Sequence, residues 1–198
     1  MSIKNMPKVV DPERQREMIR DAARRVFAAR GVESTGLTHV AEAAGMGRSS
    51  LYHYYPDKDS LVRDLTKDLL DREEEMFEQA LRGTGSPMQR VLALFDELTS
   101  VFDAWVATGT MVMDLRRLDP VRFRAFFRRI RRELAQLIVQ GQDGGEIDST
   151  VTPEAAAAVL IGMVDGLLFQ KLVDPGAFKG RASYDAMREA VRKTLKSQ

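Results

Sequence analysis

Apolar residues recur at spacings of three and four through almost the whole chain, and no stretch sustains the two-residue alternation of a half-buried strand. The pattern predicts an all-α protein of about nine helices. Asp11-Pro12 opens the first: Asp accepts backbone N–H groups as an N-cap and Pro suits the first helical position. Ile19, Ala22, Ala23, Val26 and Phe27 line one face of it, and Gly31 closes it. Short helices are expected over 37–44 and 48–54, parted by Gly45-Met46-Gly47, and a longer one over 58–81 begins after Pro56 with Asp57 as its cap. The run Gly83-Thr84-Gly85-Ser86-Pro87 breaks the chain. Beyond it, helices are predicted over 88–107, 110–118 with Gly109 as an interruption between them, 121–140, 153–173 and 184–195, with 141–149 as a polar loop.

Composition narrows the function. The chain has 198 residues, 44% hydrophobic and 30% charged, which suits a globular protein with a sizeable core. It has no cysteine, which excludes a thiolate nucleophile, a disulfide frame and a Cys-bound zinc. His39 and His53 are the only histidines, so neither a metal nor another cofactor is expected. No Ser-His-Asp or Cys-His set and no glycine-rich phosphate loop stands out, and an enzyme is not expected. The longest apolar run, 155–164, is shorter than the ~20 residues a bilayer needs. The N-terminus lacks the apolar stretch of a secretory signal, so a cytoplasmic protein without membrane contact is expected. Net charge is +1, with +2 in residues 1–64, so any case for nucleic acid must rest on a motif.

That motif lies at 37–54. Two short helices joined by a tight glycine-containing turn are the pattern of a helix-turn-helix. Ala41 and Ala44 are small enough for a close crossing, Gly45 permits a positive φ, and Met46 and Leu51 can anchor the second helix on the first. Arg48, Ser49, Ser50, Tyr52 and His53 then supply hydrogen-bonding groups on the outer face, as a major-groove helix requires.

The stretch AARRVFAARGVESTGLTHVAEAAGMGRSSLYHYYPDKDSL resembles the N-terminal domain of the TetR family of transcriptional regulators. Ala22-Ala23, Phe27, Gly31, Val40-Ala41, Ala44-Gly45, Leu51-Tyr52, Tyr55, Lys58 and Leu61 carry the likeness. It implies a DNA-binding domain over 1–57 and a helical ligand-binding and dimerisation domain over 58–198, in a homodimer paired through its last two helices. The sequence departs from the family at the two motif N-caps, where Gly36 and Gly47 replace the usual Ser or Thr. The backbone N–H groups that remain can still meet a phosphate, and Gly47 is retained among the DNA-binding residues on that ground.

Arg48 can read guanine O6 and N7 or remain a solvated arginine, and Ser49 and Ser50 can meet a base edge, a phosphate or water. By resemblance Tyr52 and Lys58 touch phosphates. Of His53 and Tyr54 one is expected on phosphate and the other packed, and Thr38 is a further DNA candidate. In the larger domain Phe102, Trp105, Met111, Met113, Phe126 and Met163 are candidates for an effector pocket, because Met adapts to irregular shapes and a break at Gly109 leaves packing incomplete. Gly162 and Gly166, four apart on the most apolar helix, are expected at the dimer interface. The run 116–132 holds eight arginines, read first as a solvated face, with an acidic effector as the sharper option. The expected function is a ligand-responsive repressor of a palindromic operator, released by an apolar or aromatic small molecule. The alternative is a DNA-binding regulator with no small-molecule effector, controlled by a protein partner.

Overall fold

The structure, a computed structural model, describes residues 11–100, 102–174, 176 and 182–196, without the side chains of residues 99, 100, 102–108 and 110. Its described residues form nine helices: α1 Pro12–Arg30, α2 Leu37–Ala43, α3 Arg48–Tyr54, α4 Lys58–Arg82, α5 Pro87–Ser100, α6 Phe102–Leu118, α7 Pro120–Asp143, α8 Pro153–Val173 and α9 Ala182–Leu195. They divide into two compact units, the first ending at Leu65 and the second starting at Thr66, inside α4.

In the first unit the local signals act as expected. Asp11 accepts the Glu13 N–H at 3.0 Å, and Gly31 leaves α1 with φ +78°. Ile19, Ala22, Ala23 and Phe27 of α1 are fully buried, together with Val40 of α2, Leu51 of α3 and Leu61 of α4. Burying a Leu, Ile or Phe side chain contributes about 1.5–3 kcal/mol each, so these few residues hold the two short helices on α1 and the start of α4.

In the second unit α7 packs on α8 and α5, and α9 closes on α5. Leu94, Leu115, Ile130, Leu134, Ile138, Leu160, Val191 and Leu195 are its core. Two glycines behave differently from the sequence expectation. Gly109 does not interrupt a helix; it lies within α6. A Cβ at 109 would lie 2.7 Å from Leu172 Cδ1, so glycine here serves the close approach of α8. Gly141 likewise sits inside α7, under Ile147, where a Cβ would lie 2.5 Å from Ile147 Cδ1. The loop that follows is held by the Gln142 amide, which donates to the carbonyls of Asp148 and Val151 at 2.8 Å each.

Helix α8 carries two apolar faces. Ala156, Ala157, Leu160, Ile161 and Val164 are buried in the protomer. Ala155, Val159, Gly162, Gly166, Phe169 and Val173 follow at alternating steps of four and three on the other side; Val159, Phe169 and Val173 are 58%, 54% and 69% exposed. By length and composition α8 could also cross a bilayer, a property shared by core helices of globular proteins.

Candidate nucleic-acid interface and ligand cavity

The turn between α2 and α3 is a Schellman closure. The Met46 N–H donates to the Ala41 carbonyl at 3.0 Å and the Gly45 N–H to the Glu42 carbonyl at 3.1 Å, with Gly45 at φ +65°. At the start of α2 the His39 Nδ1 accepts the Gly36 N–H at 3.1 Å, the part a Glu or Gln plays at the third position of a capping box; Gly36 has no side chain to return the bond. Gly36 and Gly47 both have ordinary extended backbones. A Cβ would meet nothing within 4 Å at Gly36 and only Ser50 Oγ, at 3.8 Å, at Gly47. Nothing inside the protomer therefore calls for glycine at either position.

Helix α3 turns one residue inward. Leu51 is fully buried, while Gly47, Arg48, Ser49, Ser50, Tyr52 and His53 are exposed. Tyr52, 47% exposed, is an aromatic ring left in water. Tyr54 is half-buried against the His53 ring, edge on at 5.7 Å, so histidine is the more outward of the pair. Thr38 is half-buried on α2. The Lys58 ammonium donates to the Glu33 carbonyl at 3.1 Å, which employs one of its three N–H groups and ties the start of α4 to the segment after α1. Asp57 caps α4 by accepting the Ser60 N–H at 2.6 Å, and the bonds from Ser60 hold its carboxyl below the usual range.

A charged network that the sequence reading missed fixes α3 from behind. Arg20 is buried and pairs with Glu13 at 2.7 Å, with Glu17, and with Asp64 at 3.3 Å. Tyr55, the residue that ends α3, is buried and donates its hydroxyl to Asp64, with the Arg16 guanidinium 5.6 Å above its ring. Burial and the adjacent carboxylate push the Tyr55 phenol well above its ordinary value, so it remains a donor at every working pH.

The second unit holds a cavity of about 80 Å³ among α4, α5, α6, α7 and α8. Its walls are aromatic and aliphatic: Phe77, Phe95, Phe123, Phe126, Phe127, Ile130, Val164 and Leu168, with Met113 and Phe169. Met113 and Phe126 thus line it, whereas Met111 is buried outside the lining and Met163 is half-buried elsewhere on α8. The side chains of Phe102 and Trp105 lie outside the described residues. The volume is below the roughly 150 Å³ that admits benzene. A larger guest must move side chains, and unbranched Met113 and half-exposed Phe169 are suited to yield.

Three ionisable residues join this apolar lining: Glu73, Arg116 and Asp165. Arg116 turns inward from the arginine-rich stretch; it lies 4.0 Å from Asp165 and stacks over the rings of Phe127 and Phe123 at 4.9 and 5.8 Å. Arg129 of the same stretch instead clamps Glu74 at 2.6 Å, Glu133 at 3.0 Å and Glu78. Burial, then the charge of Asp165, pushes the Glu73 carboxyl up to about 7, with Arg116 opposing. Burial raises Asp165 as well, against the same arginine. Glu73 stands between Leu70 and Phe77 on α4, and the sequence reading did not single it out.

The raised Glu73 carboxyl makes stability depend on pH. Below the ordinary glutamate value the carboxyl is protonated folded and unfolded, and its burial costs little. As pH rises toward 7 the folded state retains a proton the unfolded chain has lost, and stability falls by on the order of 3 kcal/mol before levelling. Glu73→Gln is therefore expected to raise Tm at pH 8 much more than at pH 5 in calorimetry. Equal shifts at both pH values would mean that Glu73 ionises as in water.

A family profile described as bacterial regulatory proteins, tetR family, matches residues 19–65, and one described as BetI-type transcriptional repressor, C-terminal, matches residues 87–196. The HTH-type transcriptional regulator TtgR of Pseudomonas putida is 30% identical over 182 residues, covering 83% of each chain. The HTH-type transcriptional repressor KstR2 of Mycolicibacterium smegmatis is 31% identical over 84 residues, 42% of this chain and 41% of that protein. The crystal structure of the reduced form of E. coli NemR superposes with a TM-score of 0.77 at 18% identity, covering 93% of this chain and 98% of that one, and shows the fold.

Proposed function

This chain belongs to the TetR family of bacterial regulatory proteins and is a DNA-binding transcriptional regulator, and from that premise we propose that it is a repressor released from a palindromic operator by an apolar or aromatic small molecule. The observation that carries the effector is the aromatic-walled cavity of the second unit with its few polar anchors, the composition of a small-molecule site. It favours this reading over control by a protein partner alone. The regulator works in the cytoplasm, where its DNA is, and is not an enzyme.

The DNA contacts come from Gly47, Arg48, Ser49, Ser50, Tyr52 and His53 on the outer side of α3, with Thr38, Tyr54 and Lys58 at its margins. Their exposure around a single buried anchor, Leu51, supports that assignment. Two such helices in a homodimer would meet successive major grooves about 34–36 Å apart. An effector that binds the two arrangements of the dimer unequally shifts operator affinity, typically by 1–3 kcal/mol.

The test is a gel shift on the DNA upstream of the protein's own reading frame, repeated with candidate effectors. Arg48→Ala is expected to cost about 1–3 kcal/mol on the preferred operator and to relax selectivity at one base pair per half-site. Lys58→Ala is expected to weaken all sites alike and to reduce the salt slope by about one. A salt slope unchanged by Lys58→Ala would leave the Glu33 carbonyl as that ammonium's whole role. Equal losses on operator and random DNA would move Arg48 to a phosphate.

A further inference from the structure

Resting on the effector cavity proposed above, we infer that its occupant is an amine: a protonated nitrogen on an apolar or aromatic body, seated with its ammonium on the Glu73 carboxylate. Glu73 from α4, Arg116 from α6 and Asp165 from α8 are the ionisable residues among those described in the lining; α5 and α7 contribute apolar side chains only. Arg116 lies 4.0 Å from Asp165 and stacks on the Phe127 face. Glu73 has no hydrogen-bond or ion-pair partner among the described residues.

A carboxylate in an apolar wall must either hold a proton or meet a cation. At neutral pH Glu73 is balanced between the two, with its carboxyl pushed up to about 7. An incoming ammonium supplies the missing partner through a charge-assisted hydrogen bond, and the surrounding phenyl rings add attraction through their faces. A carboxylate guest meets the reverse situation. It would add a negative charge to a lining that already has two carboxyl groups, Glu73 and Asp165, for one arginine. A neutral alcohol fills the volume and can donate a hydrogen bond, but brings no positive charge to Glu73.

Three probes of one skeleton separate these cases: 4-phenylbutylamine, 4-phenylbutan-1-ol and 4-phenylbutyrate, titrated calorimetrically into the full chain. At pH 8 the amine is expected to bind at least ~10-fold more tightly than the alcohol, with the acid weakest. Glu73→Gln is expected to erase the amine's advantage over the alcohol. Alkylammonium groups remain protonated below about pH 10, so the pH dependence belongs to the carboxyl. Amine affinity should rise from pH 6 to pH 8 in the natural protein, by up to about tenfold per unit below 7, and stay flat in Glu73→Gln. Met113→Trp, which fills the cavity, should abolish binding of amine and alcohol together. If the alcohol or the acid binds as tightly as the amine, or the advantage survives Glu73→Gln, the amine assignment is overturned while the effector cavity stands. If none of the three binds, the cavity fails as an effector site and the amine assignment fails with it.

Discussion

Gly162→Glu and Gly166→Glu are each expected to convert the protein to a monomer in sedimentation velocity at micromolar concentration and to abolish operator binding. The reason lies in the two faces of α8. One is buried within the protomer, while the other runs from Ala155 to Val173 with exposed Val159 and Phe169 flanking both glycines. A stripe of that length and apolarity needs a cover in water, and a second copy brings the same stripe. A Cβ at either glycine meets nothing within 4 Å in the protomer. A glutamate there leaves the chain's own packing alone and improves helix propensity by up to about 1 kcal/mol. Its charge matters only where a partner helix covers it, and an unpaired buried charge costs on the order of 3–5 kcal/mol, a factor of ~10²–10³ in dimer affinity. Gly162→Ala is expected to remain dimeric. Circular dichroism separates this result from misfolding, because the monomeric variants should keep their full helicity. A Gly166→Glu protein that sediments as a dimer and still binds operator would remove this face of α8 from the interface.

What the sequence made legible was local. Asp11-Pro12, Gly31, Gly45 and Pro153 act within a turn of where they stand, and the helix ends they mark agree with the structure to within a residue. The glycines at 109 and 141 were illegible because their role depends on residues elsewhere. A glycine inside an apolar pattern signals either a break or a close neighbour, and only the positions of Leu172 and Ile147 decide. The α3 surface was readable because a seven-residue helix with one apolar anchor leaves few choices of face. The cavity was readable only in part. Met113 and Phe126 were picked by type, but the charged residues that give the site its chemistry come from three separate helices. Glu73 was masked by its neighbours Glu74 and Glu75, and Arg116 by the seven other arginines of its stretch.

Arg20→Ala is expected to unfold the DNA-binding unit at temperatures where the second unit stays folded. Arg20 is nearly buried, its side chain 10% exposed, and it joins Glu13 and Glu17 of α1 to Asp64 of α4. Asp64 in turn accepts the Tyr55 hydroxyl, so the same carboxylate ties the end of α3 to both longer helices. Removing the arginine leaves Asp64 beside a buried phenol without its paired cation, and breaking a buried pair from one side costs on the order of 3–5 kcal/mol. A unit of this size has a net stability of only a few kcal/mol, so the loss approaches its whole margin. Heating the full chain should then show an early transition absent from the natural protein, and operator binding should fail at 37 °C while the later transition is unmoved. Tyr55→Phe removes one hydrogen bond and leaves the ion pairs, for a cost of about 1 kcal/mol and a small loss of operator affinity. The double change Arg20→Met with Asp64→Leu separates charge from packing. If the network serves α3 by filling space, this apolar pair restores the early transition to its natural temperature. If it serves by holding Tyr55, stability returns without full operator affinity, because the phenol at the end of α3 has lost its acceptor. An Arg20→Ala protein with a single natural transition and natural operator affinity would show that α3 is held by Leu51 and its apolar neighbours alone.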